Sequence, residues 1–538
     1  MKSIYKVLTF AGIATAVTLT GCYDMDTLPM AEDLTAEQKD DAREANPGLT
    51  RAGIAGIAAM FSTQGQVLGD DVHSDFGVPA LMLGLDSRGV DMVSPYTGYN
   101  WFRGFMAFSD CNVNSDATIM AWNYYYRQIL ACNDAIGSIN AESDDPLIQF
   151  YLGQALGMRA NAYFNLAQIY QFTYKGNEHK PCVMLITEAN QEQVLSSGCK
   201  RSTVAEIYGQ ITSDIDRAVE LIEGSGLAPE KVLEAKPKRF LSAAAAYGLR
   251  ARINLVKQEW AAAASDASDA IRLFTAAGGR PLSLSEAARP GFSSIDAANW
   301  MWGIAIAETD AVVTTGIINF PSHMGSLNYG YASVGAWRMI NKKLFNEIPE
   351  TDVRKGWFLN ADGLSSNLTE SQLAYCSSKS MPAYTQVKFA PYQDMLGATT
   401  NACDIPLMRV EEMYLIQAEA TAMAGGDGAS VLSGFVQQYR DPSFSFSGAG
   451  ADVQEACFQQ RRVELFGEGL INFDYMRLNK EYDRVGGGFE PNYCYRIAAG
   501  DPVLILPIPN SEINGNKLFL SGANNSPAPQ PRPVADVQ

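Results

Sequence analysis

The side chains with the most chemistry to offer fall in one short C-terminal stretch. Arg461, Arg462 and Glu464 lead to Glu468, then Asp474 and Arg477 follow, so charges of both signs lie within a few residues of one another. Two carboxylates at a fixed separation can serve as the acid and base of glycoside cleavage. The same pattern can be a buried ion-pair network, with Arg462 and Glu468, or Glu464 and Glu468, on adjacent helical faces. No reaction motif accompanies these residues: the chain has no GxxxxGK[ST], no GxSxG and no HExxH. The network is therefore the reading we carry forward. The three histidines, His73, His179 and His323, lie far apart in sequence, which argues against a His-based triad or a His-rich metal centre. Asp110, Asn112, Asn114 and Asp116 place oxygen side chains at alternate positions, like the start of a calcium loop. The turn glycine is missing, however, and Ala121 stands where the closing glutamate belongs. Gly486-Gly487-Gly488 lacks the flanks of a phosphate cradle and reads as a flexible loop.

Aromatic residues give a different signal. Tyr96, Tyr99, Asn100, Trp101 and Phe102 form one cluster rich in turn residues. Asn328, Tyr329, Gly330 and Tyr331, with Trp337 and Arg338, form a second. Sugar rings have apolar C–H faces and polar rims, so a flat exposed ring beside Asn or Arg suits them. Aromatics also offer rigid contact area to peptides, and they commonly fill cores. The candidate ligand contacts are Tyr96, Tyr99, Asn100, Trp101, Tyr329, Tyr331, Trp337 and Arg338. Trp122, Trp260 and Tyr247 fall on periodic helical runs and are expected in the core. Trp300 and Trp302, two apart in a strand-like run, share a face and are expected to be buried as well.

Helical periodicity dominates the first half of the chain. Runs start near Ile119, span Phe150–Phe172 and Thr203–Ile222, and continue from Phe240 and from Glu259. Thr203 with Glu206 three residues on is a capping box. The runs from 240 and 259 form a hairpin in which Ala244, Gly248 and Ala251 face Trp260, Ala264 and Ala267, a spacing that resembles a tetratricopeptide repeat. A similar signature recurs at Val410–Gly426. The units are irregularly spaced, so this is no clean solenoid. Between about 280 and 400 the period is lost among Gly, Ser, Asn, Pro and aromatics. The tail from 521 is Pro-rich and should be extended or disordered. The fold class is mainly α, with loops at 60–115 and 280–400 covering one side.

The chain has 538 residues, 59 acidic and 41 basic, for a net charge of −18, and 47% of it is hydrophobic. That composition supports a large core. Length alone suggests three to four domains at about 150 residues each, a rule helical repeats break. The acidity excludes a nucleic-acid partner, whose phosphates need a basic face. The first 21 residues carry Lys2, Lys6 and an apolar run, a secretory signal. Leu19-Thr20-Gly21-Cys22 resembles a bacterial lipobox, which implies cleavage before Cys22 and lipidation there. The remaining chain would have 517 residues and a net charge of −20. Acyl chains give about 0.8 kcal/mol per buried CH₂, enough for stable anchoring without a spanning helix. Residues 22–48 read as an acidic tether with a short helix before Pro47. Eight further cysteines without CxxC spacing suggest buried thiols with at most one bridge.

Several segments together resemble one family, the SusD/RagB nutrient-uptake lipoproteins. Arg461 to Gly469 followed by Phe473-Asp474-Tyr475-Met476-Arg477 is similar to the family's RRxELxxEGxxxxDxxR signature. Leu407–Ala420 resembles the helix before it, and Leu506-Pro507-Ile508-Pro509 with Glu512-Ile513 resembles the closing strand and turn. Trp122 to Asn133 and Arg159 to Tyr170 resemble the early helices. The resemblance implies a SusD-like fold over 49–520, split near 300 into a repeat-rich part and a loop-rich part. It implies an outer-membrane, surface-exposed lipoprotein that binds without catalysing, needs no cofactor, and closes a SusC-like TonB-dependent transporter as a hinged lid. The ligand would be an oligosaccharide or, as in RagB-like relatives, a peptide. A hydrolase on the same scaffold is the third possibility.

Overall fold

The computed structural model describes residues 48–69, 72–233, 236–520, 522–525 and 528–536. The signal, Cys22 and the tether up to residue 47 lie outside the described residues.

The periodic runs become helices because caps and apolar stripes agree. Helix α1 is Gly48–Ala59 and α2 is Val78–Arg88. Helix α3 (Asp116–Gly137) starts where Ser115 accepts from the Thr118 N–H. Helix α4 (Pro146–Tyr170) starts at Asp145, with Pro146 in its first turn, where the missing N–H costs nothing. Helix α5 (Val204–Gly224) has the expected Thr203–Glu206 capping box. Helix α6 (Ala243–Lys257) ends at Gln258, whose φ of 61° turns the chain directly into α7 (Trp260–Ala276).

These helices stack in chain order, α3 on α4, α4 on α5, α5 on α6 and α6 on α7. Two glycines set the closeness of the α4–α5 contact and its edge. A Cβ at Gly153 would lie 2.7 Å from Ile222 Cγ1, and one at Gly157 would lie 2.5 Å from Leu241 Cδ1. The hairpin of α6 and α7 forms as expected, but Gly248 does not serve it. Its face meets Met408 Sδ, 2.5 Å from where a Cβ would sit. The glycine makes room for the next layer, α8 (Val410–Met423), which packs on α7. Helices α9 (Gly428–Tyr439) and α10 (Ala451–Glu464) close the stack on α8, and α11 (Ile471–Arg477) follows.

Strand is sparse and always paired in antiparallel twos. The pairs join β1 (Met92–Val93) to β5 (Met339–Ile340), β2 (Pro181–Met184) to β3 (Arg201–Thr203), β4 (Trp300–Ile304) to β6 (Ile405–Arg409), and β7 (Tyr482–Asp483) to β8 (Arg496–Ile497). The β4–β6 pair clamps the long excursion between α7 and α8 at its two ends, with Trp300 opposite Arg409. Trp300, Trp302 and Trp122 are buried, as their spacing required. Trp260 and Tyr247 only edge the core: both are half-buried, and the Tyr247 hydroxyl reaches Glu223. The main apolar cluster draws residues from Ile54 through Ile508, so the length-based expectation of several cores gives way to one dominant core. All eight described cysteines are free thiols, so the allowance for a disulfide is not taken up. Residues 528–536 of the tail form no helix or strand, and the Val534 N–H donates to the Cys494 carbonyl. Among the described residues, no helix is long and apolar enough to cross a membrane.

Candidate ligand-binding site

The charged signature is a buried network. Arg461 meets Asp474 at 2.7 Å, Arg462 meets Asp91 at 2.6 Å, and Arg477 meets Glu419 at 2.5 Å. Glu464 gathers Arg409, Arg440 and Arg354 at 2.9, 2.8 and 3.2 Å. Glu468 takes Lys388 at 2.6 Å and Arg409 at 2.8 Å. The expected approach of Arg462 to Glu468 does not occur, because α10 ends at Glu464 and Glu468 lies past its last turn. Arg354, Lys388, Arg409 and Arg440 balance Asp352, Glu411, Glu464 and Glu468. Burial alone would raise the carboxyls, yet the surrounding guanidiniums hold Glu464 well below the usual range and keep Glu468 and Asp474 low. A general acid needs the opposite shift. These carboxylates fix how α8, α10 and α11 meet and offer no proton.

The oxygens of 110–116 are spent separately. Asp110 is buried against Arg88 at 2.7 Å. Asn112 donates to the Ser109 carbonyl and accepts from the Asn114 N–H. Ser115, not Asp116, caps α3. This is the geometry of a loop-to-helix turn. Gly486 and Gly487 are likewise structural, packing against Lys343 and Asn341.

The aromatic clusters, more than 200 residues apart in sequence, are brought together by the short β1–β5 ladder. Its register pairs Met92 with Ile340 and Val93 with Met339. The same antiparallel register continues into the flanking loops. Arg338 Nη1 donates to Ser94 Oγ at 2.8 Å, Thr97 Oγ1 donates to the Gly335 carbonyl at 3.1 Å, and Trp101 meets Tyr331 edge to face at 6.5 Å. Gly335 is needed here: its φ is 133°, and a Cβ would lie 3.1 Å from the Tyr99 ring.

Four of the eight candidate residues present open rings. Tyr96, Tyr99, Trp101 and Tyr329 are 43%, 54%, 47% and 45% exposed. Trp101 is fixed by stacking on His73, with centroids 4.1 Å apart and planes within 4°. One indole face is thus covered and the other left open. Tyr99 and Trp101 flank Tyr331, whose ring is mostly buried on His323 at 4.8 Å. Tyr96 stacks on Tyr493 at 4.6 Å. Lys379 Nζ lies 6.0 Å from the Tyr329 ring centroid, a cationic rim.

The other candidates correct the sequence reading. Asn100 and Arg338 are fully buried beneath the rings. Asn100 Nδ2 ties back to the Pro95 carbonyl, and its Oδ1 accepts from Arg338. Arg338 Nε donates to the His323 carbonyl, so this one guanidinium joins both loops. Burial without a carboxylate pushes its pKa down to about 9. Trp337 is half-buried against the Leu327–Leu359 cluster. Burial, with Arg338 and His73 nearby, holds His323 neutral. Neither histidine was singled out as a site residue from sequence. The only cue was that His73 sits in a Gly- and Asp-rich loop.

Two family models match separate segments of this chain. Residues 87–255 match a SusD-like model described as starch-binding associating with outer membrane, and residues 358–520 match the SusD family itself. The chain belongs to the SusD family. Its two matched segments cover α3 to α5, most of α6, and α8 to α11 with the charged signature, and the family comprises non-catalytic binding proteins associated with the outer membrane. No curated protein sequence matches. Among solved structures, a SusD-like carbohydrate-binding protein from Bacteroides vulgatus shares 22% identity at a TM-score of 0.71, covering 88% of this chain and 97% of that one. Surface glycan-binding protein A from Bacteroides thetaiotaomicron, solved with laminarihexaose, shares 15% at 0.60, covering 89% and 99%. A laminarin-binding SusD-like protein shares 17% at 0.57, covering 87% and 98%. At these identities the likeness is one of fold. The SusD fold here places the open rings on the loops and leaves the helical stack as support.

Proposed function

We propose that this SusD-family chain captures neutral oligosaccharides on the Tyr99–Trp101–Tyr329 surface and presents them to a SusC-like TonB-dependent transporter. It would do so as a lid anchored in the outer membrane through lipidated Cys22. The observation that carries the ligand reading is the convergence of rings from both loops on one register, with Trp101 held flat by His73. Rings fixed before binding lose little entropy on binding. Their faces cover the C–H faces of sugars, and the tyrosine hydroxyls and Lys379 are available to ring hydroxyls. Affinity comes from apolar area and hydrogen bonds, and no bond is made or broken. Two proteins of like fold, one laminarin-binding and one solved with laminarihexaose, support a glycan over a peptide.

A thermal-shift panel decides the ligand class. At least one neutral oligosaccharide, with laminarihexaose and maltohexaose among those tried, is expected to raise the melting temperature. Stabilisation by mixed peptides and by no glycan would establish the peptide reading instead. Affinity purification of the native protein should bring a large β-barrel partner with it. Cys22→Ser should abolish metabolic labelling by palmitate and release the protein from membranes; retained labelling would refute the anchor.

A further inference from the structure

A second cavity lies away from the aromatic surface. It has a volume of about 450 Å³ and is lined by Arg289, Phe292, Ser293, Asn299, Gln372 and Asp394, among others. That volume falls in the range of small-molecule sites, roughly 300–1,000 Å³. Its polar groups are unusually free. Asn299 is fully buried, and its Nδ2 donates to both Glu411 oxygens at 3.0 and 3.1 Å. Its Oδ1 has no hydrogen-bond partner among the described residues. A buried amide oxygen left unpaired is unfavourable, and a donor reaching it would relieve that. Arg289 is exposed and makes no ion pair among the described residues. Gln372, which lines the cavity, spends its Oε1 on the Thr369 N–H, and its amide N–H₂ has no hydrogen-bond partner among the described residues. The Ser293 hydroxyl is also unengaged, while Glu286 is held by Arg280. Phe292 turns its ring inward, between Lys388 and Arg409, at the cost of a φ of 57°. The wall it leaves behind sets polar side chains among Leu282, Pro290 and Ala297.

The geometry points to a second saccharide site in this cavity, taking one or two rings of a neutral sugar. Asn299 Oδ1 calls for a donor, which a hydroxyl supplies and an ionised carboxylate does not. Arg289 and Gln372 supply donors for ring oxygens, and Asp394 supplies an acceptor. With one free cation and one free carboxylate at the rim, a net ionic ligand is not favoured. The site stands on the cavity alone and does not require the aromatic surface to bind sugar. From Gln372 to Lys379, which rims Tyr329, is roughly 10 Å along one short helix, so the two sites are neighbours but separate.

Saturation-transfer NMR on the full chain tests it, with glucose, galactose, mannose, N-acetylglucosamine, maltose and cellobiose as probes. In a Trp101→Ala/Tyr329→Ala background, at least one of these should still receive saturation. Adding Arg289→Ala, or filling the cavity by Ser293→Trp, should weaken that signal roughly fivefold or more, the loss of one or two charge-assisted hydrogen bonds. Each variant should retain the parent melting temperature. No transfer to any probe, transfer unchanged by both cavity variants, or full displacement by inorganic phosphate would each overturn the proposal. Failure of the aromatic surface is read separately, as unchanged laminarihexaose affinity in the Trp101→Ala/Tyr329→Ala protein.

Discussion

The ionic layer and the aromatic rim invert the usual placement of residue types. In the layer, Arg354, Arg409, Arg440, Glu411 and Glu464 are fully buried, each satisfied by several partners. On the rim, Tyr99, Trp101 and Tyr329 stand in solvent. Buried charge contributes little net stability but is very costly to leave half-paired, so it enforces one arrangement of helices. Exposed aromatic surface gains little from folding, and such patches mark interaction sites. If the layer specifies structure and the rim takes the ligand as proposed, substitutions in the two should have opposite signatures.

The largest effect should come from Glu464→Ala. It strips three guanidiniums of their shared carboxylate and should cost about 3–5 kcal/mol. Chemical denaturation measures this, and a loss below about 1 kcal/mol would mean the layer is not coupled as drawn. Next is Gly335→Ala, which joins the two regions' logic. Its φ of 133° strains an alanine by about 1–3 kcal/mol, and its Cβ pushes on Tyr99, so stability and ligand affinity should fall together.

A smaller effect follows from Asp86, a carboxyl beside the layer without a cation of its own. It accepts from the Gly469 N–H at 3.0 Å, and burial raises its pKa from 3.8 to about 8. A raised folded-state pKa gives a contribution that is full below about pH 4 and is lost as pH rises toward 8. Asp86→Asn should flatten that decline and raise the melting temperature at pH 8, by an amount on the order of 1 kcal/mol in stability. An unchanged slope between pH 4 and 8 would assign the decline elsewhere. The smallest effect is expected at the exposed pair Arg217–Glu220, where Glu220→Ala should cost under about 0.5 kcal/mol. The contrast with Glu464 isolates burial as the cause.

The helices were readable because α3 to α6 carry both periodicity and caps within single short stretches, while α7 and α8 carry periodicity alone. The signature's role was also readable as a network, but its partners were not. Arg354, Lys388, Arg409 and Arg440 come from other parts of the chain, and only the folded topology brings them to Glu464 and Glu468, as it brings Asp91 to Arg462. The rim was readable in part. Tyr99, Trp101 and Tyr329 were identified by turn context, and they are exposed. Asn100 and Arg338 were misplaced, since a polar side chain beside aromatics can be a contact or a buried brace, and residue type does not separate the two. The β1–β5 ladder was invisible because two residues per strand carry no alternation.

The most direct test of the central claim is calorimetric titration of the best oligosaccharide from the thermal-shift panel into wild type and Trp101→Ala/Tyr329→Ala. The double variant should lose affinity about 30-fold or more, the loss of two stacking anchors, while its melting temperature stays within about 2 °C. Unchanged affinity with an intact fold would contradict it and move the ligand to another surface.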